Sequence, residues 1–191
     1  MDFSLHDRTL HLTDAQHQRH VIALDAGGCH QLVLSKREDA KRLVSTLAQL
    51  RDALVLPSEG GLLGLLSIRD NLALGLRYQG RKHPANEALV ADAFERCGYN
   101  AEKVARLADQ QPVHLPRIEC WLVGFVRALA LEPALLVIDN AFVGLASRED
   151  ADKVVRWSGL FTHYYPQRPL LFVDVDSHAV PVVDGCPRIV G

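Results

Sequence analysis

The stretch Arg127 to Asp139, RALALEPALLVID, constrains the fold of this chain more than any other. Pro133 cannot continue a helix, so a helix arriving from Arg127 must stop near Glu132. Leu135, Leu136, Val137 and Ile138 then make an apolar run with a β-branched bias. A continuous apolar run closed by one carboxylate fits a central parallel strand, covered on both faces. Asp139 falls at the carboxyl end of that strand, where open α/β sheets place their ligands.

The other segments can be ordered around this strand. Phe3 to Thr13 alternates apolar and polar residues, as an exposed strand does. Strands are expected over His20–Leu24, Cys29–Leu34, Ala53–Leu56 and Pro169–Val175, with a small edge strand at Arg188–Val190. A polar loop, SKREDAK, leads from Ser35 into a helix over Asp39–Arg51 with Leu43, Leu47 and Leu50 on one face. After the glycine- and leucine-rich loop Pro57–Leu66, Ser67 to Asp70 reads as a capping box for the helix SIRDNLALGLRY. Further helices are expected over Asn86–Cys97, over Ala101–Ala108 capped by Asn100, from Pro116 to Leu131, and after Ser147.

With 191 residues, of which 48% are hydrophobic and 23% charged, the chain can bury a real core. A net charge of −2 gives no polyanion-binding signal, so nucleic acid is not expected as a partner. Cys29, Cys97, Cys120 and Cys186 form no CxxC pair and are expected to be reduced thiols in a cytosolic protein. The polar N-terminus does not read as a signal peptide. The uncharged run Cys120–Val126 is far shorter than the roughly 18 residues a membrane span requires.

This order of elements resembles the nucleotide-binding subunit of ATP-binding cassette (ABC) transporters, from about Gly27 to Asp176. RALALEPALLVID looks like the stretch from the signature helix into Walker B, and Gly60 to Tyr78, GGLLGLLSIRDNLALGLRY, looks like the segment that faces the membrane subunit. The wording of that segment is most similar to ATPases serving MCE-type lipid transport systems. The resemblance implies an α/β, P-loop NTPase-like parallel-sheet core. That core would take in about 1–56 and 132–191, with a helical subdomain over about 57–131 and a truncated antiparallel part, all in one domain. It also implies a cytoplasmic location, peripheral on the inner face of a membrane. The partner would be a membrane permease or another ABC subunit, in a homo- or heterodimer. The surface facing that partner would include Gly60, Gly61, Leu62, Leu63, Ser67, Arg69 and Tyr78.

The residues that would handle ATP depart from the family together. Its phosphate loop, GxxxxGK[ST], needs glycines for close backbone approach, a lysine for charge and a hydroxyl for magnesium. The matching stretch runs from Ser35 to Arg42. It keeps Lys41 but has Ala40 for a glycine expected at positive φ, Arg42 for the hydroxyl, and Glu38 and Asp39 where phosphates would lie. Asp139 remains as a metal ligand, but Asn140 stands at the general-base position, and an amide cannot take a proton from water at neutral pH. Leu115–Glu119 replaces the LSGGQ signature and lacks its glycines. The Q-loop glutamine falls at Pro57 and the switch histidine near Val175.

These residues predict a degenerate ABC subunit, a pseudo-ATPase with a structural or regulatory role and no cofactor. Its vestigial nucleotide positions would be Ser35, Ala40, Lys41, Arg42, Asp139 and Asn140. Two alternatives stay open. One is an ATP-binding transport subunit that holds ATP and magnesium unconventionally through Lys41 and Asp139. The other is a metal-dependent enzyme using Asp174, Asp176 and His178, which share a face at i, i+2, i+4 if the strand reaches them. Lys41 also fits a solvated helix residue, and Gly60–Leu63 also fits a loop packed on its own helices.

Overall fold

The computed structural model describes residues 2–14, 16–78, 84–175 and 180–191. They divide into two compact units, Met1–Ser58 with Pro133–Gly191, and Glu59–Glu132.

The first unit carries two sheets. One is antiparallel, ordered β1 (Asp2–His6), β2 (Thr9–Thr13), β3 (Arg19–Ala23). The single strand expected over Phe3–Thr13 is therefore a hairpin. His6 pairs with Thr9 across a two-residue turn in which Asp7 and Arg8 have φ of 45° and 61°. Both turn residues are left-handed, a geometry matched to strand twist, and alternation alone could not reveal it because the pattern runs unbroken through the turn. The β2–β3 connection is held by Asp14. Its Oδ1 accepts from the Gln16 and Gln18 amides, at 2.9 Å each, and its Oδ2 lies 2.7 Å from His20 Nε2. The His20 contact is the main influence holding the Asp14 carboxyl below the usual range.

The second sheet is parallel, in the order β5 (Ala53–Pro57), β6 (Leu135–Asp139), β7 (Pro169–Val175), β4 (Gly28–Leu34), β8 (Arg188–Val190). β6 and β7 lie inside it and are buried along nearly their whole length, as their unbroken apolar runs require. Successive side chains point to opposite faces. Leu32, Leu34, Leu135, Val137, Leu171 and Val173 share one core with Ala40, Leu43 and Leu47 of α1 (Arg37–Leu47) and with Leu10, Leu12 and Ile22 of the antiparallel sheet. The alternate residues, Gln31, Val33, Leu136, Ile138, Phe172 and Asp174, face the other way. Phe172 there stacks on Phe142 at 6.1 Å. Helix α6 (Arg148–Tyr164) is capped by Ser147 Oγ, which accepts from the Asp150 amide at 3.1 Å.

The expectation of four reduced thiols fails for one pair. Cys29 and Cys186 form a disulfide with Cα atoms 4.7 Å apart. β8 lies beside β4 and brings the turn before it to the start of β4, a neighbourhood hidden by 157 residues of sequence separation. Cys97 and Cys120 are free and buried. Burial pushes both thiols up, that of Cys97 to about 12.

The second unit is helical: α2 (Ile68–Tyr78), α3 (Pro84–Arg96), α4 (Ala101–Ala108), a short 3-10 turn at Pro112–His114 and α5 (Arg117–Ala130). Asn100 caps α4 as expected, accepting from the Lys103 amide at 3.0 Å. Pro116 precedes α5 as its cap residue instead of forming its first turn. Among the described residues no helix is long and apolar enough to cross a membrane.

Candidate functional site

In the first unit, the place where a phosphate loop would lie is a tight corner. β4 ends at Leu34 and α1 begins at Arg37, so only Ser35 and Lys36 connect strand to helix. The expected polar loop and the helix start at Asp39 are corrected accordingly. Residues 37–42 are helical, and Ala40 is buried against the core instead of sitting in a strained left-handed conformation. A two-residue connection into a helix creates no need for glycine at residue 40.

Two backbone donors at the corner are drawn into the fold. The Ser35 amide donates to the Gly191 carbonyl at 2.7 Å, and the Ala40 amide to the Lys36 carbonyl at 3.2 Å. Lys36 has no side-chain cap, and Glu38 and Asp39 occupy the first turn, where carboxylates favour the helix dipole but repel an anion. Lys41 is exposed on the second turn. The Arg42 guanidinium lies 4.7 Å from the centre of the Phe3 ring and 3.6 Å from Asp39 Oδ1, so this residue packs against β1.

Asp139 ends β6 in register with Pro57 of β5 and Val173 of β7. Asn140 follows at φ 50°, a left-handed conformation that Asn tolerates better than most residues. Its Nδ2 donates to Asp139 Oδ1 at 2.6 Å and its amide to the Val173 carbonyl at 2.8 Å. The pair that would bind metal and activate water is thus engaged with itself.

Asp174 lies on the α6 side of the sheet and is 1% exposed. Burial pushes its carboxyl up to about 7. The Asp139 charge acts in the same direction, against hydrogen bonds from the Gln31 side chain and the Ala141 amide and the positive charge of Arg188. Its Oδ2 has no hydrogen-bond partner. Gln31, fully buried, also donates through Nε2 to the Pro181 carbonyl at 2.9 Å. Asp176 and His178 lie outside the described residues, and no group of three or more His, Cys, Asp or Glu able to hold a metal occurs among those described.

In the second unit, the loop opening at Gly60 has an inner and an outer part. Gly60 and Gly61 take φ of 82° and 61°. Gly60 rests on α5 so closely that a Cβ at Gly124 would overlap its carbonyl and Cα. Arg127 Nη2 donates to the Gly61 carbonyl at 2.7 Å and to that of Gly60 at 3.4 Å, and burial holds its guanidinium below its usual value.

Asn71, fully buried, anchors the rest of the loop. Its Oδ1 accepts from the Leu63 amide at 2.8 Å. Its Nδ2 donates to the carbonyls of Leu63 and Ser67, both at 3.0 Å, and of Leu66 at 3.3 Å. Sequence reasoning missed Asn71; the signal was a lone amide in the first turn of an otherwise apolar helix face.

Outside this anchor, Leu63 is 51% exposed, Leu65 92% and Val113 73%, with Gln111 Nε2 donating to the Leu65 carbonyl at 3.4 Å. Ser67 accepts from the Asp70 amide at 3.1 Å, as the capping box predicts, and Arg69 Nη2 pairs with Asp109 Oδ1 at 2.6 Å. Of the predicted partner-facing residues, Gly60 and Gly61 are thus engaged inward, Leu62 is half-buried, and Leu63 presents its side chain outward. Tyr78 ends α2, with its side chain outside the described residues.

In place of the signature glycines, Pro116 caps α5 without a side-chain hydrogen bond, and Glu119 Oε1 accepts from the Tyr99 hydroxyl at 3.0 Å.

No family model matches the chain. Two curated relatives are sulfate/thiosulfate import ATP-binding proteins CysA. That of Pseudomonas syringae pv. tomato is 30% identical over 83 residues, 44% of this chain and 25% of the relative. That of Escherichia coli K12 is 29% identical over 92 residues, 48% and 25% of the two chains. The chain thus spans about a quarter of the length of the relatives it matches. Among solved structures, an ATP-binding subunit of an ABC transporter superposes with a TM-score of 0.64 at 16% identity, covering 81% of this chain and 71% of that one. A second, cbiO1 of Clostridium perfringens, part of the ABC transporter complex cbiONQ, gives 0.63 at 13% identity, covering 90% and 78%.

Proposed function

We propose that this chain, which has the fold of ABC-transporter ATP-binding subunits and resembles them in sequence, serves a transport complex without hydrolysing ATP. Its role is structural or regulatory: it docks a membrane permease, or another ABC subunit, at the inner face of a membrane. The observation that carries the proposal is the two-residue corner at Ser35–Lys36. A phosphate cradle needs several consecutive amides turned toward one anion. Here the Ser35 amide is bonded to Gly191, the next residues are helical, and Glu38 and Asp39 stand in the first turn. The self-paired Asp139 and Asn140 support the same conclusion about hydrolysis.

The exposed Leu63 and Leu65, held out by a buried asparagine, suit an apolar insertion from a partner. The likeness of residues 60–78 to ATPases of MCE-type lipid systems makes a lipid permease the finer proposal.

Titration calorimetry with millimolar ATP, with and without magnesium, tests the central claim. No binding heat and no phosphate release are expected. Heat that disappears in Lys41→Ala would instead establish an ATP-binding subunit with an unconventional site.

A further inference from the structure

We infer that Cys29 and Cys186 form a thiol–disulfide exchange site, a clasp that fastens the C-terminal strand to β4 and so holds the Ser35–Lys36 corner closed. The inference does not depend on the absence of ATP hydrolysis.

β8 is only three residues long and lies at the sheet edge, pairing with β4 alone through Arg188, Ile189 and Val190. A strand this short contributes little by itself. Yet four backbone or side-chain bonds rest on its position. The Gln31 amide donates to the Pro187 carbonyl at 2.9 Å, the Gly191 amide to the Val33 carbonyl at 2.9 Å, and the Ser35 amide to the Gly191 carbonyl at 2.7 Å. Arg188 Nη1 donates to the Val180 carbonyl at 3.2 Å. The disulfide stands at one end of this ladder and the Ser35 amide at the other. Opening the first therefore loosens the register that supplies the second with its acceptor.

The bond is placed for exchange. Cys186 is buried, but it sits in a turn whose flanking Asp184, Gly185 and Pro187 are exposed, and Cys29 is half-buried beside exposed Gly28. A small thiolate such as glutathione or dithiothreitol can attack the Cys29 sulfur and release the Cys186 thiolate, which takes up a proton. A second thiolate then displaces Cys29 from the mixed disulfide, giving two protein thiols and one oxidised small-molecule disulfide, a two-electron reduction. Cys97 and Cys120, buried and with raised thiol pKa, stay out of the reaction.

The test has two parts on the full chain. Alkylation under non-reducing conditions followed by peptide mapping is expected to find Cys29 linked to Cys186 and the other two cysteines unlinked. Four alkylated cysteines in air-equilibrated protein would overturn the proposal. Hydrogen exchange is then compared with and without dithiothreitol. About tenfold faster exchange is expected in peptides covering residues 180–191 and 29–36, with peptides of α5 unchanged. Equal exchange in both states, or a bond that resists the dithiol until the protein unfolds, would reduce the pair to an inert staple. The double variant Cys29→Ser, Cys186→Ser should match the reduced pattern. If it does not fold, dithiol-treated wild type gives the answer alone.

Discussion

The corner after β4 and the loop before α2 can be compared directly, since each precedes a helix and each resembles in sequence position a working part of ABC ATP-binding subunits. At the first, several groups that would meet a ligand are engaged by the protein itself, the Ser35 amide by Gly191, Asn140 by Asp139 and Arg42 by Phe3, while Lys41 stays exposed. At the second, the polar groups are also satisfied internally, by Asn71 and Arg127, but the result is to present Leu63 and Leu65 to solvent. The same device, backbone groups bonded within their own fold, engages Ser35 at one site and displays leucines at the other.

Asn71→Ala is expected to do most to break the contrast. It removes four hydrogen bonds and leaves buried partners unpaired, a loss of about 4 kcal/mol by chemical denaturation, together with faster proteolysis at Leu63–Leu66.

The next effect belongs to the first unit and depends on pH. Asp174 is held near 7, above its unfolded value of 3.8, so the native state keeps a proton that the unfolded chain has released. Its contribution is fully present below about pH 4, is lost as pH rises toward 7, and changes no further above that. Asp174→Asn should flatten this slope, gaining on the order of 3 kcal/mol relative to wild type between pH 4 and pH 8. Parallel stability curves for the two proteins would show instead that Asp174 is ionised throughout.

Lys41→Ala should change stability by less than about 0.5 kcal/mol and leave any nucleotide response as it was, because the side chain is exposed on the second turn of α1. Leu65→Asp should have the smallest effect on folding, with a thermal midpoint within about 2 °C of wild type, yet abolish co-purification with the proposed permease partner. If capture persists, the outward leucines are not the docking surface.

Much of the scaffold was legible in the sequence because burial writes itself into composition. β6 and β7 are covered on both faces, so Leu135–Ile138 and Pro169–Val175 read as strands without ambiguity, and the caps at Asn100, Ser67 and Ser147 follow from short-range chemistry. What stayed hidden depends on backbone conformation or distance along the chain. The Asp7–Arg8 turn interrupts no alternation. The start of α1 at Arg37 was masked because a motif alignment assumes a loop of fixed length. The Cys29–Cys186 pairing requires knowing that β8 lies beside β4. Asn71 carried a signal, but only its bonding partners reveal what it does.

The burial of Ala40 bears on what a phosphate cradle at this corner would require. Placing a hydroxyl at Arg42, beside the Lys41 already present, would leave residues 37–42 wound as they are, with Ala40 still anchored among Leu43, Leu47 and the sheet. A cradle would require uncoiling that first turn and a half and withdrawing a core methyl group. The corner is thus locked by the core beneath it as much as by the residues that line it.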